Sequence, residues 1–500
     1  MNGVLGRCVS YPDRKSKMRC TAASWVSAEM KRSYSRVFST IHWLDMHPFA
    51  SYVLRCYNQA TGWNEDNLYS NLTKSSRAIL DFAVPRGVHF SISKSANALF
   101  STSYAMNALP TLNGSIGYIF TSCDLDLKQS STVPFKEVVD RFVIHDRPRR
   151  PAGKEEIFLG GRNINAGEYL LYGRYYVPSS RLDALYTVRL APTLQGLIAA
   201  VSNPRARLSP SASITRGESA GNMMFSLQHD TGRWCTEYSW SADDGMWGIR
   251  VLHNFGRLAN EAIDAERVAR KERERGTMRV DEEEKMEGGL KGRLSAGAEL
   301  YFSLKEKSAG VSTGIRFTTL PDASPPSTSP EPAIPAQTPT TLTATFNPMM
   351  GHMSAAYAAR ASRDLALCSR FDFNIYSYES EWTMGAEWWL RRAAGRRFPS
   401  VQQGEKEGDS LDSDPVVLDE VSPPGQDTPS PFLTSDTPTL GGDVTGVVKA
   451  RISTSSDVSL MWEGRIRNML VSLGVVSDLS NRSKPIKSIG LELAYFSGPE

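Results

Sequence analysis

Two hydrophobic periods divide the chain. From His47 to Ala60 the apolar positions Phe49, Val53, Tyr57 and Ala60 recur every three or four residues, which predicts a short amphipathic helix ended by the Thr61-Gly62 pair. Such a helix either plugs or lines a barrel wall, or caps an ordinary core. After about residue 85 the period falls to two. Arg181 to Leu190 sets Leu182, Ala184, Tyr186, Val188 and Leu190 on one face and Arg181, Asp183, Leu185, Thr187 and Arg189 on the other. Arg293 to Leu304 repeats the pattern, with Leu294, Ala296, Ala298, Leu300, Phe302 and Leu304 opposite Arg293, Ser295, Gly297, Glu299, Tyr301 and Ser303. From Leu365 to Tyr376 the residues Leu365, Leu367, Phe371, Phe373 and Ile375 face away from Arg370, Asp372, Asn374 and Tyr376. A charged alternate face marks a strand held between an apolar medium and water.

These runs extend over about nine to twelve residues, the length of a tilted crossing of a hydrocarbon layer of roughly 30 Å, and exceed the five or six usual in soluble sheets. Gly114, Gly117, Gly173, Gly297 and Gly314 fall inside the patterned segments. They would be costly holes in a soluble sheet, whereas a barrel uses glycine to relieve curvature and admit close backbone approach. Tyr175, Tyr176, Trp240, Trp247, Trp382, Trp388 and Trp389 lie near strand ends and are candidates for interfacial girdles. Periodicity alone leaves the core of a soluble sandwich open as the other reading.

Three segments interrupt the pattern: 257–289, dense in Arg, Glu and Asp; 321–340, rich in Pro, Ser and Thr; and 391–443, with few large apolar groups. Such compositions cannot bury enough apolar surface to fold. Flanked by patterned strands, they read as insertions between neighbours of one large sheet, leaving on one side of a membrane. Linkers in a soluble multidomain protein are the competing explanation, but the blocks between them do not alternate into helix-plus-sheet units. The expected organisation is therefore an extension at 1–45 and one barrel domain at 46–497.

Composition narrows the class. Of 500 residues 40 % are hydrophobic and 22 % charged, and no stretch approaches the length of a helical membrane span. The net charge of +3, from 57 basic and 54 acidic groups, gives no reason to expect nucleic acid. Cys8, Cys20, Cys56, Cys123, Cys235 and Cys368 are too scattered for a disulfide scaffold or a zinc knuckle. Residues 1–45 are basic and rich in serine, a composition that fits a matrix-targeting segment, sequence upstream of a true start at Met46, or a cytosolic tail.

No catalytic, cofactor or metal constellation emerges. His229, His253 and His352 lack metal-ligand spacing and read as polar lumen or loop residues. Gly160-Gly161 lacks the Lys-Ser/Thr of a phosphate cradle and reads as a turn entering a strand. Asn71-Leu72-Thr73 matches a glycosylation acceptor only formally, and Arg147-Pro148-Arg149-Arg150 reads as a solvated basic loop, with contact to anionic lipid headgroups as the other reading. The C-terminus is more specific: in Ser488-Ile489-Gly490-Leu491-Glu492-Leu493-Ala494-Tyr495, alternation puts Ile489, Leu491, Leu493 and Tyr495 on the lipid side. A last strand must close against the first, because no open edge is tolerated in lipid.

That stretch resembles the β-signal by which mitochondrial outer-membrane barrels are recognised by the sorting and assembly machinery, with Ser488, Gly490, Leu493 and Tyr495 at its positions. The segments Tyr52 to Asn64, Asn67 to Thr73, Leu80-Asp81-Phe82 with Pro85-Arg86-Gly87, Ser295 to Tyr301, and Leu365 to Asn374 with Tyr376 to Ser380 resemble the fungal mitochondrial distribution and morphology protein 10 family. The similarity spans roughly 47–497 apart from the three insertions, and residues 1–45 depart from the pattern.

The resemblance implies an all-β transmembrane barrel of nineteen strands, related to porin and translocase-channel barrels, with an internal N-terminal helix and a parallel pairing of first and last strands. It implies a non-enzymatic outer-membrane protein, enriched at contacts with the endoplasmic reticulum. There the barrel anchors the lipid-transfer subunits of the endoplasmic reticulum–mitochondria encounter structure, supporting phospholipid exchange and mitochondrial shape. It also implies association with the sorting and assembly machinery, assistance in late assembly of the outer-membrane translocase, and contact with translocase receptor subunits and membrane lipids, but not nucleic acid. Within the barrel, Tyr301 and the Arg370/Asp372 pair are expected to support the helix at 47–60 from the lumenal wall. A voltage-dependent metabolite channel would share the fold, and a soluble β-sandwich interaction protein would share only the periodicity.

Overall fold

The computed structural model describes residues 47–498 except 145–146, 152–157, 160–161, 164–166, 205–220, 244, 257, 260–291, 306, 320–337, 392–443 and 481–484. The proposed extension at 1–45, Gly160-Gly161 and most of the three insertions therefore lie outside the described residues. Helix α1 (Pro48–Ala60) opens the described chain, and two short 3-10 turns lead to helix α2 (Lys74–Leu80). Then come strands β1 (Gly87–Ser95), β2 (Phe100–Leu109) and β3 (Asn113–Thr121), a long connection carrying the one-turn helix α3 (Phe135–Val138), and β4 (Tyr169–Val177). The wall continues through β5 (Leu182–Ala191), β6 (Leu194–Ser202), β7 (Gly221–Asp230), β8 (Trp234–Ser241), β9 (Met246–Asn254), β10 (Gly292–Ser303) and β11 (Ser308–Thr319). It ends with β12 (Thr340–Asn347), β13 (His352–Arg360), β14 (Leu365–Asn374), β15 (Ser380–Arg391), β16 (Val444–Ser453), β17 (Asp457–Ile466), β18 (Met469–Asp478) and β19 (Ile486–Ser497). Thr340 and Arg391, at the edges of two proposed insertions, thus belong to wall strands.

The strands form one closed 19-stranded sheet in which each pairs with its chain neighbours. Eighteen antiparallel neighbours in a row leave β1 and β19 pointing the same way, and they meet in a parallel seam from Gly87↔Gly490 to Lys94↔Ser497. Closure leaves no strand edge unpaired, which is the condition for a sheet to sit in hydrocarbon. No described helix is long and apolar enough to cross a membrane.

The inward and outward faces follow the sequence alternation. On β5, Asp183, Leu185, Thr187 and Arg189 are buried while Leu182 and Leu190 are exposed outward. On β10, Arg293, Ser295, Glu299, Tyr301 and Ser303 are buried inside and Leu294, Leu300 and Phe302 face out. β14 repeats this up to Asn374. Beyond it the chain turns, so Tyr376 does not join the inner face: it stands exposed on the rim with its hydroxyl donated to the carbonyl of Pro348, 2.8 Å away. On the outside, Phe225, Trp240 and Trp247 form a row at one end, with centroid spacings of 5.5 and 6.1 Å. Near the other end Phe100, Tyr118, Phe120, Tyr169 and Tyr186 line up in a similar band. Aromatic side chains favour such levels because the ring seeks hydrocarbon and its polar edge seeks water.

Two proposed girdle residues face inward instead. Trp389 is buried in the lumen, where its indole nitrogen donates to Glu387 at 2.7 Å. Tyr176 lies under the guanidinium groups of Arg174 and Arg181, 4.9 and 5.3 Å from its ring centroid. His229 and His253 depart from the lumen-or-loop expectation in the opposite sense. Both lie on the outer parity of their strands, and His253 stacks 4.1 Å from Trp234.

Strand direction sorts the connections. Call the end where β1 starts the near rim: every odd-to-even connection then leaves the far rim. That rim carries the four longest, between β3 and β4, β9 and β10, β11 and β12, and β15 and β16. The near rim holds mostly tight turns.

If the outer belt meets lipid, replacing Ile249, exposed near the middle of β9, with arginine destabilises the barrel by about 2–4 kcal/mol. Equilibrium unfolding of the vesicle-embedded protein in denaturant measures it, and a change below about 0.5 kcal/mol would mean that this face does not meet lipid.

Candidate functional site

The lumen is filled by two pieces of the chain. Helix α1 begins at Pro48, whose fixed backbone suits the first helical turn, and the ring nitrogen Nδ1 of His47 accepts the amide of Phe49 at 3.2 Å. Burial first, and then the charge of Arg174, push His47 down to about 3, so it stays neutral and can accept that bond. Of the apolar stripe predicted from the sequence, Phe49, Val53 and Tyr57 are buried, together with Tyr52 and Leu54, whereas Ala60, the last residue of the helix, is exposed. It meets a part of the wall that is itself apolar on the inside, including Leu170, Tyr172, Leu185, Leu197, Val447 and Leu470. Phe496 of β19 packs against Phe49 at 5.1 Å and Tyr52 at 6.4 Å.

The second piece, residues 122–144 between β3 and β4, was not singled out by sequence. Leu125, Leu127, Val133, Phe135 and Val139 join the same core cluster as α1. Arg465 donates to the carbonyls of Ser131, at 3.0 Å, and Val133. Arg55 of α1 pairs with Asp140, and the amide of Phe142 donates to Glu387 at 3.1 Å. The signal for this piece is its own: alternating Leu125 and Leu127 followed by Val133 and Phe135, too apolar for a solvated loop.

From α1 the chain runs along the inner wall to β1, over a series of inward glycines. An added Cβ at Gly297 would fall 2.6 Å from the Tyr69 ring, and at Gly314 it would fall 2.9 Å from Leu72. At Gly385 it would meet Leu80 at 2.7 Å, at Gly474 Val84 at 2.4 Å, and at Gly490 the carbonyl oxygen of Pro85 at 2.0 Å. Two of these glycines, read from sequence as relief for curvature, therefore make room for the inner segment. Gly173, by contrast, has nothing within 4 Å.

Polar groups fasten the same path. Arg189 lies 4.5 Å over the Trp63 ring and donates to the carbonyl of Thr61 at 3.3 Å. Asn67 donates to Asp230 at 2.6 Å and accepts from Asn254 at 2.5 Å. Arg451 donates to the carbonyl of Leu80 at 2.9 Å.

The sequence-proposed residues fall into two places. Arg370 does pair with Asp372, at 3.0 Å, but its other contact is Asp81 at 2.7 Å, so it holds the end of α2 and not the helix at 47–60. Tyr301 is buried in the lumen and lies flat over Gly310, where an added Cβ would come within 1.9 Å of its hydroxyl. Ser488, Gly490, Leu493 and Tyr495 sit on β19, with Gly490 facing the lumen and Tyr495 exposed outward, 38 % accessible. A buried charge cluster was missed: Arg250 reaches Glu237 at 3.2 Å and Glu299 at 2.8 Å, joining β8, β9 and β10 across the inner wall. Paired and hydrogen-bonded, such a cluster fixes structure more than it adds stability.

A cavity of about 740 Å³ remains inside, lined by Arg77, Asp81, His352, Arg370, Asp372 and Glu379 among others. Among the described residues no group of His, Cys, Asp and Glu could hold a metal ion. Cys56, Cys123, Cys235 and Cys368 are free thiols.

A family model described as mitochondrial distribution and morphology protein 10 matches residues 46–430 and 434–497. A relative of that name from Postia placenta is 60 % identical over 468 residues, covering 90 % of this chain and 100 % of its own. One from Laccaria bicolor is 61 % identical over 463 residues with the same coverage. Another from Cryptococcus neoformans is 42 % identical over 515 residues, covering 90 % of this chain and 99 % of its own.

Valine at Gly385 overpacks Leu80 and Ile79 and lowers stability by about 1–3 kcal/mol, while valine at Gly173 changes it little. Thermal unfolding of both variants in detergent checks the pair; equal effects would show that the inner segment does not rest on the wall as described.

Proposed function

Because the chain belongs to the mitochondrial distribution and morphology protein 10 family, we propose that it serves mitochondrial distribution and shape as a non-enzymatic anchor in the outer membrane. The observation that carries this reading is the occupied lumen. Two segments of the chain occupy much of it and are tied to the wall by apolar packing and by Arg189, Arg370, Arg451 and Arg465. A barrel so filled has its outer wall and rims left to work with. Its closed sheet supplies the membrane attachment, and the far rim, from which the four longest connections depart, supplies the partner-facing side.

In this reading the barrel holds the lipid-transfer subunits of the endoplasmic reticulum–mitochondria encounter structure at the contact site and so supports phospholipid exchange. It also joins the sorting and assembly machinery and assists late assembly of the outer-membrane translocase. The β19 segment with Ser488, Gly490, Leu493 and Tyr495 serves as the assembly signal of the barrel itself. Ion pairs and hydrogen bonds inside hold structural elements together, and the residues involved are spent on one another, which favours an anchor over a catalyst.

Affinity purification of the tagged protein from gently solubilised mitochondria, followed by mass spectrometry, tests the reading. Lipid-transfer subunits of the encounter structure and components of the assembly machinery are the expected partners. Recovery of neither would overturn it.

A further inference from the structure

The parallel seam is the one place where paired strands of the wall are not consecutive in the chain. Every other strand pair is joined by the chain itself, but β1 and β19 are separated by almost the whole sequence, and parallel pairing is the weaker kind per residue. A one-residue slip would turn Leu491, Leu493 and Tyr495 into the lumen, so the apolar alternation forbids it. A two-residue slip keeps every face and is not forbidden by alternation. Along most of the inner face of β1 little resists it, since Ser91, Ser93 and Ser95 present small, similar side chains; His89, opposite Glu492 and bonded within its own side of the seam to Asn107 and the Arg86 carbonyl, is the one larger group.

We infer that Gly490 is the positioning residue that sets this register, by receiving the carbonyl of Pro85 where the inner segment passes into the wall. The fit is close: an added Cβ at Gly490 would lie 2.0 Å from that oxygen and 2.8 Å from the Arg86 amide nitrogen. The clash is with backbone, which cannot rotate away as a side chain could. The inner-face neighbours two residues away are Ser488 and Glu492, so a slip in either direction brings a side chain beneath Pro85. On β18, Gly474 gives the same kind of room to Val84, and an added Cβ would lie 2.4 Å from it. The inner segment is thus keyed into two adjacent strands just before it becomes β1. Phe496, against Phe49 and Tyr52, reads the same register from the other end of β19. The inference stands on the fold alone and is independent of the tethering reading. It gives the glycine a role in closure that needs no recognition by any assembly factor.

The test is disulfide cross-linking across the seam in the full chain, with its six native cysteines replaced by serine, refolded into phosphatidylcholine vesicles without assembly machinery. In the observed register Ile92 lies opposite Tyr495 and Phe90 opposite Leu493. Cysteines at 92 and 495 are then expected to cross-link well, and cysteines at 90 and 495 poorly. Gly490→Ala should lower the 92–495 yield several-fold. Moving the glycine, by Gly490→Ser with Glu492→Gly, should shift the register by two and transfer the cross-link to 90–495. A purely structural role for Gly490 would lower the yield without moving it. An undiminished 92–495 yield in Gly490→Ala, or no transfer to 90–495 when the glycine is moved, would overturn the inference.

Discussion

Hydrogen-bond closure of the sheet is the constraint from which the rest of this molecule follows. In hydrocarbon an unpaired backbone amide or carbonyl costs several kcal/mol, so a wall of strands must join its own ends. With an odd number of strands in simple succession, the ends can meet only in parallel, between Gly87–Lys94 and Gly490–Ser497. Closure also produces an enclosed interior that must be either watered or filled. Here much of it is filled, a cavity of about 740 Å³ remaining beside Arg77 and Arg370, and the side chains lining the filled part match what covers them: leucine, tyrosine and valine beneath α1, glycine beneath residues 69–85, and arginine where carbonyls of the inner segments need a donor.

Filling and closure are coupled through geometry. The inner segment crosses the wall over Gly297, Gly314, Gly385, Gly474 and Gly490 in the order of its own residues, so one continuous stretch of chain visits strands from β10 round to β19. Neither the helix alone nor the glycines alone would specify that path. Packing of Phe49 and Tyr52 on Phe496 ties the start of the segment to the last strand, and Pro85 on Gly490 ties its end to the same strand. The interior is therefore organised around β19, whose sequence resembles an assembly signal.

Much of the wall was legible because alternation is a direct image of the pleat. β5 and β10 have the inward and outward residues that a period of two assigns to them, and α1 buries the stripe that a period near 3.6 assigns up to Tyr57, leaving Ala60 exposed at its end. The same rule separates adjacent aromatic residues. Tyr175 and Tyr176 are adjacent, as are Trp388 and Trp389, so one of each pair has to face inward. The strand count and the parallel seam came from family resemblance, since periodicity fixes neither. The site was less legible. Glycines in strands were visible but their partners were not, because the contacts join residues hundreds apart in sequence, such as Gly474 with Val84. The contact of Arg370 with Asp372 follows from their spacing on one strand, whereas Asp81 on the inner segment carries no sign in the sequence of its connection to them.

An anchor and a metabolite channel differ in whether the lumen conducts. Steady-state conductance of the purified full-length barrel in planar bilayers is therefore the most direct measurement of the account. With α1 and residues 122–144 seated as described, a plugged barrel passes only sporadic, low current, and it stays closed over the voltage range in which open barrels of this size conduct. A stable, large, ion-selective pore in the full-length protein would contradict the filled lumen and with it the reading of the barrel as an anchor.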